Sequence, residues 1–303
     1  MVGLSDMFGE GAGGLLGLPE ASLAEAGGRL AVIGADCATP YSAVGPYCAG
    51  APAALRAAAR RNAHSFDRVS FDLGRAGMPA AVDCGNLALD PGDPAGNRLA
   101  IEAAVRELAA AGSTVVLLGG DDSVQIPMLA ALDAGPLHIV QIDAHIDWRD
   151  EVEGERWGLS STQRRASEMA HVAGQVLVGQ RGFGSAGPED LAAAEAAGAV
   201  LVPAREVARR GVGRAVDAVP DGARVAVCLD LDGLDPSVIP SVIAPTPGGL
   251  SHWDVLELVE GVAAKADVVA LGFVELAPGN DGDGRGADQA VQLLASLIGT
   301  IAR

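Results

Sequence analysis

The chain has 303 residues, a formal net charge of −18, 49% hydrophobic residues and only 3% aromatic ones. That charge argues against nucleic acid or an anionic membrane surface as a partner, and no apolar run reaches membrane-spanning length. The four cysteines, Cys37, Cys48, Cys84 and Cys228, form no Cys-x-x-Cys pair, which reads as reduced thiols in a cytoplasmic protein.

Residues 1–28 carry no basic n-region, the first basic residue being Arg29, which argues against a secretory leader. They read as a flexible arm, Gly-rich from Gly9 to Gly17. One α/β domain is expected over 29–303, because strand and helix signals alternate without a long linker. Leu30 to Ile33 is the first buried strand. Tyr41 to Ala51 is a Gly- and Pro-rich loop, and Ala51-Pro52 opens a helix running through Arg60. Val69 to Leu73 predicts a short strand and Asn97 to Ala111 a helix. Further strands are expected at Val115 to Leu118, Ile139 to Ile142, Val176 to Gly179, Val200 to Val202, Val225 to Leu229 and Val268 to Leu276, with a helix over Pro188 to Ala197. Short apolar runs separated by helices imply a parallel sheet covered on both faces, a three-layer α/β/α fold. Ligands in such sheets sit at the carboxyl ends of strands.

Three of those runs end in acids: Gly119-Gly120-Asp121-Asp122-Ser123, Asp143-Ala144-His145-Ile146-Asp147, and Asp230-Leu231-Asp232-Gly233-Leu234-Asp235-Pro236. A lone Asp at a strand end is commonly a cap or a turn residue. Three such groups are another matter, because burying several ionisable residues together is costly unless a cation compensates. Strand alternation would turn Asp143, His145 and Asp147 one way, and Asp230 and Asp232 likewise. Asp122 lies nearby. A carboxylate-rich set with one imidazole suits Mn²⁺ better than a thiolate-seeking metal, and two ions are expected.

In order and spacing the three segments resemble the signatures of the ureohydrolase (arginase/agmatinase) family. Thr246-Pro247-Gly248-Gly249 and Val274-Glu275-Leu276-Ala277-Pro278 extend the resemblance over roughly 30–303. It implies an eight-stranded, mostly parallel sheet and homotrimers or homohexamers. It also implies two Mn²⁺ per subunit: Asp143 and Asp230 shared, Asp122 and Asp147 completing one ion, His145 and Asp232 the other. Glu275 would pair with a substrate guanidinium, and Asp147 would handle the proton of the attacking water. The implied reaction is hydrolysis of a guanidino compound to urea and an amine. Agmatine to putrescine is the first expectation; a guanidino acid such as 4-guanidinobutanoate, or a guanidino natural product, is the alternative.

Two departures bear on this. The family places His where this chain has Asp122, and it carries a His-Gly step where this chain reads Trp157-Gly158-Leu159-Ser160-Ser161. They leave open a metal-binding member without catalysis. His171 reads as structural. Gly182-Phe183-Gly184-Ser185-Ala186-Gly187 matches a dinucleotide fingerprint, but Glu189 and Asp190 stand where a pyrophosphate would need the helix start. The acidic run Asp150, Glu151, Glu153 and Glu155 is either a solvated loop or a rim that draws in a cation. Arg149 beside it could meet a substrate carboxylate.

Overall fold

A computed structural model describes residues 13–62, 81–184 and 186–302. Its eight strands are β1 (Leu30–Ala35), β2 (Ala81–Asn86), β3 (Thr114–Gly119), β4 (Leu137–Ile142), β5 (Val172–Val178), β6 (Val200–Val202), β7 (Arg224–Asp230) and β8 (Asp267–Val274). They form one sheet in the order β2-β1-β3-β8-β7-β4-β5-β6, and every pairing is parallel. The helices are α1 (Ala51–Asn62), α2 (Pro94–Ala110), α3 (Gln125–Ala131), α4 (Thr162–Ser167), α5 (Pro188–Ala196), α6 (Ala204–Arg210), α7 (Gly213–Asp217), α8 (His252–Ala263) and α9 (Arg285–Ile301).

Strand alternation builds the layers. On β3, Val116 and Leu118 pack with α1, α6, α8 and α9 on one face. Val115 and Leu117 pack with α2, α3 and α4 on the other. Both faces are therefore dry, which is why these strands read as unbroken apolar runs. Cys228 on β7 packs as a small apolar side chain in the second layer.

Several boundaries differ from expectation for local reasons. Helix α2 begins at Pro94 rather than Asn97, because Asp93 caps it by accepting from Gly96 N at 2.9 Å and Pro94 fits the first turn. Strand β8 stops at Val274, because Glu275 turns into the left-handed region with φ 71°. The strand expected at Val69 to Leu73 lies outside the described residues. The edge strand β2 was not anticipated: Asp83, Gly85 and Asn86 are poor strand formers. Residues 13–28 of the expected arm pack on the body, with Leu15, Leu16 and Leu18 buried. Leu15 N donates to the Asp83 carboxylate at 2.7 Å. Among the described residues no helix is long and apolar enough to cross a membrane.

The strand order places the chemistry. β3, β8, β7 and β4 are four consecutive neighbours, and the chain leaves β3 to cross over to β4, later filling the gap with β7 and β8. The three acidic segments and Glu275 leave the carboxyl ends of these strands, at the place where connections diverge.

Candidate metal centre

Seven carboxylates lie buried at this edge: Asp121, Asp122, Asp143, Asp147, Asp230, Asp232 and Glu275. The residues after β4 do not stand on a strand as alternation predicted. β4 ends at Ile142, and Asp143 to Asp147 form a turn in which Asp147 takes a left-handed φ of 45°. A non-glycine residue there is strained, and the bend returns Asp147 beside Asp143. Only Asp230 closes a strand in the third segment; Asp232 sits in the following 3-10 turn, where its N–H donates to Asp230 Oδ1 at 2.7 Å. The convergence is thus made by turns rather than by pleat.

Two groups of side chains bring ligand atoms within 4.8 Å of one another: Asp143, His145 and Asp232, and Asp122, Asp143 and Asp147. His145 Nδ1 lies 3.2 Å from Asp143 Oδ1 and 3.1 Å from Asp232 Oδ2. Asp230 and Glu275 stand beside these groups and line the same cavity, of about 140 Å³, with Tyr47, Leu159 and Ser160.

The electrostatics are compensated only at Asp232, which, against its burial, the neighbouring His145 holds below the usual carboxylate range. Burial, then repulsion from Asp147, pushes Asp122 well above the usual carboxylate range. Burial and Asp232 do the same to Asp143 and Asp230, burial and Asp143 to Asp147, and burial and Asp121 to Glu275. Burial alone would push His145 down, but its hydrogen bond to Asp232 and the surrounding carboxylates carry it up to about 9. One imidazole cannot balance this many acids. Asp121 Oδ2 and Asp122 Oδ2 are buried without a hydrogen-bond partner. Clustered hard oxygens with open lone pairs fit a divalent cation.

Glu275 is oriented by its neighbours. Tyr47 Oη donates to its two oxygens at 2.8 and 2.7 Å, and Asp122 N donates to Oε1 at 2.9 Å. Burial raises the Tyr47 hydroxyl, and the Glu275 charge raises it further, so Tyr47 remains a donor. Arg181 fixes the third segment: it donates to the carbonyls of Asp232 (2.7 Å), Gly233 (3.2 Å), Leu234 (3.0 Å) and Thr246 (2.7 Å). Asp235 Oδ2 in turn accepts from Gly248 N at 2.8 Å and Gly249 N at 3.2 Å, which ties in the Thr246 to Gly249 segment. Sequence reasoning missed Tyr47, Arg181, Gln125 and Gln141. Tyr47 is 228 positions from Glu275, in a stretch that the sequence marks only as a Gly- and Pro-rich loop.

The chain's length has close parallels among known proteins. Residues 29–299 match the Arginase family. The chain belongs to the arginase family. It is 36% identical over 205 residues to the N(1)-aminopropylagmatine ureohydrolase of Thermus thermophilus, covering 67% of each chain. It is 32% identical over 234 residues to the proclavaminate amidinohydrolase of Streptomyces clavuligerus, 73% of this chain and 72% of that one. Superposed on the solved structure of the latter, it gives a TM-score of 0.83 over 96% and 97% of the two chains, at 26% identity. An arginase from Medicago truncatula shares the fold with a TM-score of 0.75, covering 92% and 90% of the two chains at 23% identity.

The remaining sequence candidates lie elsewhere. His171 Nε2 meets Leu129 O at 2.9 Å, away from the cavity. Asp150 pairs with Arg156 at 3.0 Å and with Arg165, so the acidic run begins as a self-neutralised loop. Asp190 accepts from Gly187 N at 3.0 Å and occupies the start of α5 with its own carboxylate, where the fingerprint reading needed a phosphate. Leu159 and Ser160 face the cavity in the stretch where the family's His is missing, and Arg149 lines its mouth.

Proposed function

We propose that the chain is a metal-dependent ureohydrolase, splitting a guanidino compound into urea and an amine at this centre. One observation carries the reading: seven buried carboxylates with a single imidazole, at the carboxyl ends of four adjacent strands, in a chain of the arginase family. In this reading Asp122, Asp143, His145, Asp147, Asp230 and Asp232 hold two Mn²⁺ per subunit, and Glu275 binds the substrate. The subunit is read as one domain over 29–303 that assembles as a cytoplasmic homotrimer or homohexamer.

Bound divalent ions would supply the Lewis acidity that makes water a nucleophile near neutral pH. The protein's own groups do the rest. Glu275 presents two oxygens to the planar guanidinium, a charge-assisted bidentate match that turns its carbon toward the carboxylates. Tyr47 holds Glu275 in place. Asp147 Oδ2 is tied to Gln141 at 2.7 Å, which leaves Oδ1 to take a proton from the attacking water and pass it to the departing amine nitrogen. The new C–O bond replaces the C–N bond, giving urea and the amine.

The relatives' names include an N(1)-aminopropylagmatine ureohydrolase, a guanidinopropionase and a guanidinobutyrase; agmatine is the first substrate proposed for this chain and 4-guanidinobutanoate the second. Urea release from a panel of guanidino compounds after Mn²⁺ loading tests the activity. Bound metal with no urea from any member would leave a non-catalytic metal-binding protein.

A further inference from the structure

The two groups at the centre differ in how they are supported. The Asp143–His145–Asp232 group contains an imidazole, whereas the Asp122–Asp143–Asp147 group offers oxygen alone. Two fully buried carboxamides hold the second group. Gln141 Nε2 donates to Asp143 Oδ2 and to Asp147 Oδ2, each at 2.7 Å. Gln125 Nε2 donates to Asp122 Oδ1. Each of the three carboxylates therefore has one oxygen committed to a neutral donor, and Asp122 Oδ2 is buried with no partner.

The backbone accommodates this arrangement. Gln125 opens α3, and its amide lies over Gly272 of β8. A Cβ there would stand 2.2 Å from Gln125 Oε1, so glycine at 272 is what makes room for the carboxamide. Neutral amides orient carboxylates without cancelling their charge. The group is left ordered and electron-rich rather than satisfied.

We propose that Asp122, Asp143 and Asp147 form an all-oxygen cation position, oriented by Gln125 and Gln141, that takes a hard divalent ion such as Mn²⁺ or Mg²⁺ and is chemically unequal to the imidazole-bearing position at Asp143, His145 and Asp232. The inference rests on reading this cluster as a metal centre and adds that its two positions have different preferences. Oxygen-only ligation favours Mg²⁺ and Mn²⁺, and imidazole favours Zn²⁺. Gln125 and Gln141 are positioning residues: they would act on the metal only through the carboxylates.

The test is a competition on the full-length protein, stripped with chelator, loaded with Mn²⁺ and titrated with Zn²⁺, with free Mn²⁺ followed by electron paramagnetic resonance. The wild type should bind two Mn²⁺ per chain and release them in two steps at least about tenfold apart in Zn²⁺. Gln125→Leu should weaken the later-released Mn²⁺ by about tenfold or more, the usual range for losing a residue that orients a ligand. It should leave the first step in place. Asp122→His should merge the two steps. Release of both ions in a single step from the wild type, which needs no variant to fold, overturns the inference and leaves the metal-centre reading standing. So does an equal change, or no change, at both steps in Gln125→Leu. Zero Mn²⁺ bound to the wild type overturns both.

Discussion

Two buried acidic regions of this molecule solve the same problem in opposite ways. At Asp83, on the edge strand β2, the carboxylate is 2% exposed and has its own cation: Arg56 reaches it at 2.7 and 2.8 Å. Backbone N–H groups of Leu15 and Gly85 complete the shell at 2.7 and 3.0 Å. Burial raises the Asp83 pKa, but these partners outweigh it and hold the group below its usual value. At the sheet's carboxyl edge the acids are as deeply buried, and all but Asp232, which the one imidazole among them holds low, are pushed upward. A charge that the fold needs is paired within the fold. Among the described residues, the acids at the strand ends have no such cation within the fold and could hold a metal ion.

The comparison can be broken most sharply at Arg56. Arg56→Ala strands a buried carboxylate that also anchors residues 13–28, and removing one partner of such a pair costs about 3–5 kcal/mol. Chemical denaturation of the chelated protein should show that loss. A change under 1 kcal/mol would mean that Asp83 is no better compensated than the strand-end acids.

Glu275→Ala tests the other region. It should leave Mn²⁺ stoichiometry intact while removing a charge-assisted pair with substrate worth roughly 1.5–3 kcal/mol, so kcat/KM for urea release falls about ten- to hundredfold. Unchanged kinetics would take Glu275 out of substrate binding.

Asp122→Asn should act with the opposite sign to Arg56→Ala. It keeps an acceptor for Gln125 and deletes one repelling charge. The chelated protein should gain about 1 kcal/mol, as neutralising a strained functional site commonly does, while binding less Mn²⁺. Titration sharpens the point. Asp122, Asp143, Asp147 and Asp230 are raised above 3.8 in the fold. Their contribution is therefore present below that pH and lost as pH rises through the raised values. Asp83, held low, contributes above 3.8 and loses that contribution as pH falls through its depressed value. The stability gap between Mn²⁺-loaded and chelated protein should widen as pH rises from about 4, a window set by the carboxylate reference values. A constant gap would show that the cluster needs no cation.

The smallest effect is expected at Tyr47→Phe. Losing one hydroxyl donor to Glu275 removes about 1 kcal/mol, so KM should rise several-fold with kcat nearly kept. A loss in kcat alone would place Tyr47 elsewhere in the reaction.

The sequence by itself determined the sheet and the chemistry of its edge. Apolar runs such as Val115 to Leu118 are legible because a strand buried on both faces has no polar side to show, and acids following such runs are legible because burial makes them costly. Even so, the pleat argument that aligned Asp143, His145 and Asp147 was the wrong geometry, since a left-handed Asp147 does that work in a turn. Only the tertiary structure decided which residues serve those acids. Gln125 and Gln141 are unremarkable amides in sequence, and Tyr47 sits in a loop far from Glu275. Arg56 finds Asp83 across 27 positions, on a strand whose Asp, Gly and Asn hide it. Hydrogen-bond partners are set by where the chain returns in space. One sequence read locally shows a charge that needs an answer, and the fold determines whether the answer is an arginine, an amide or an ion from solution.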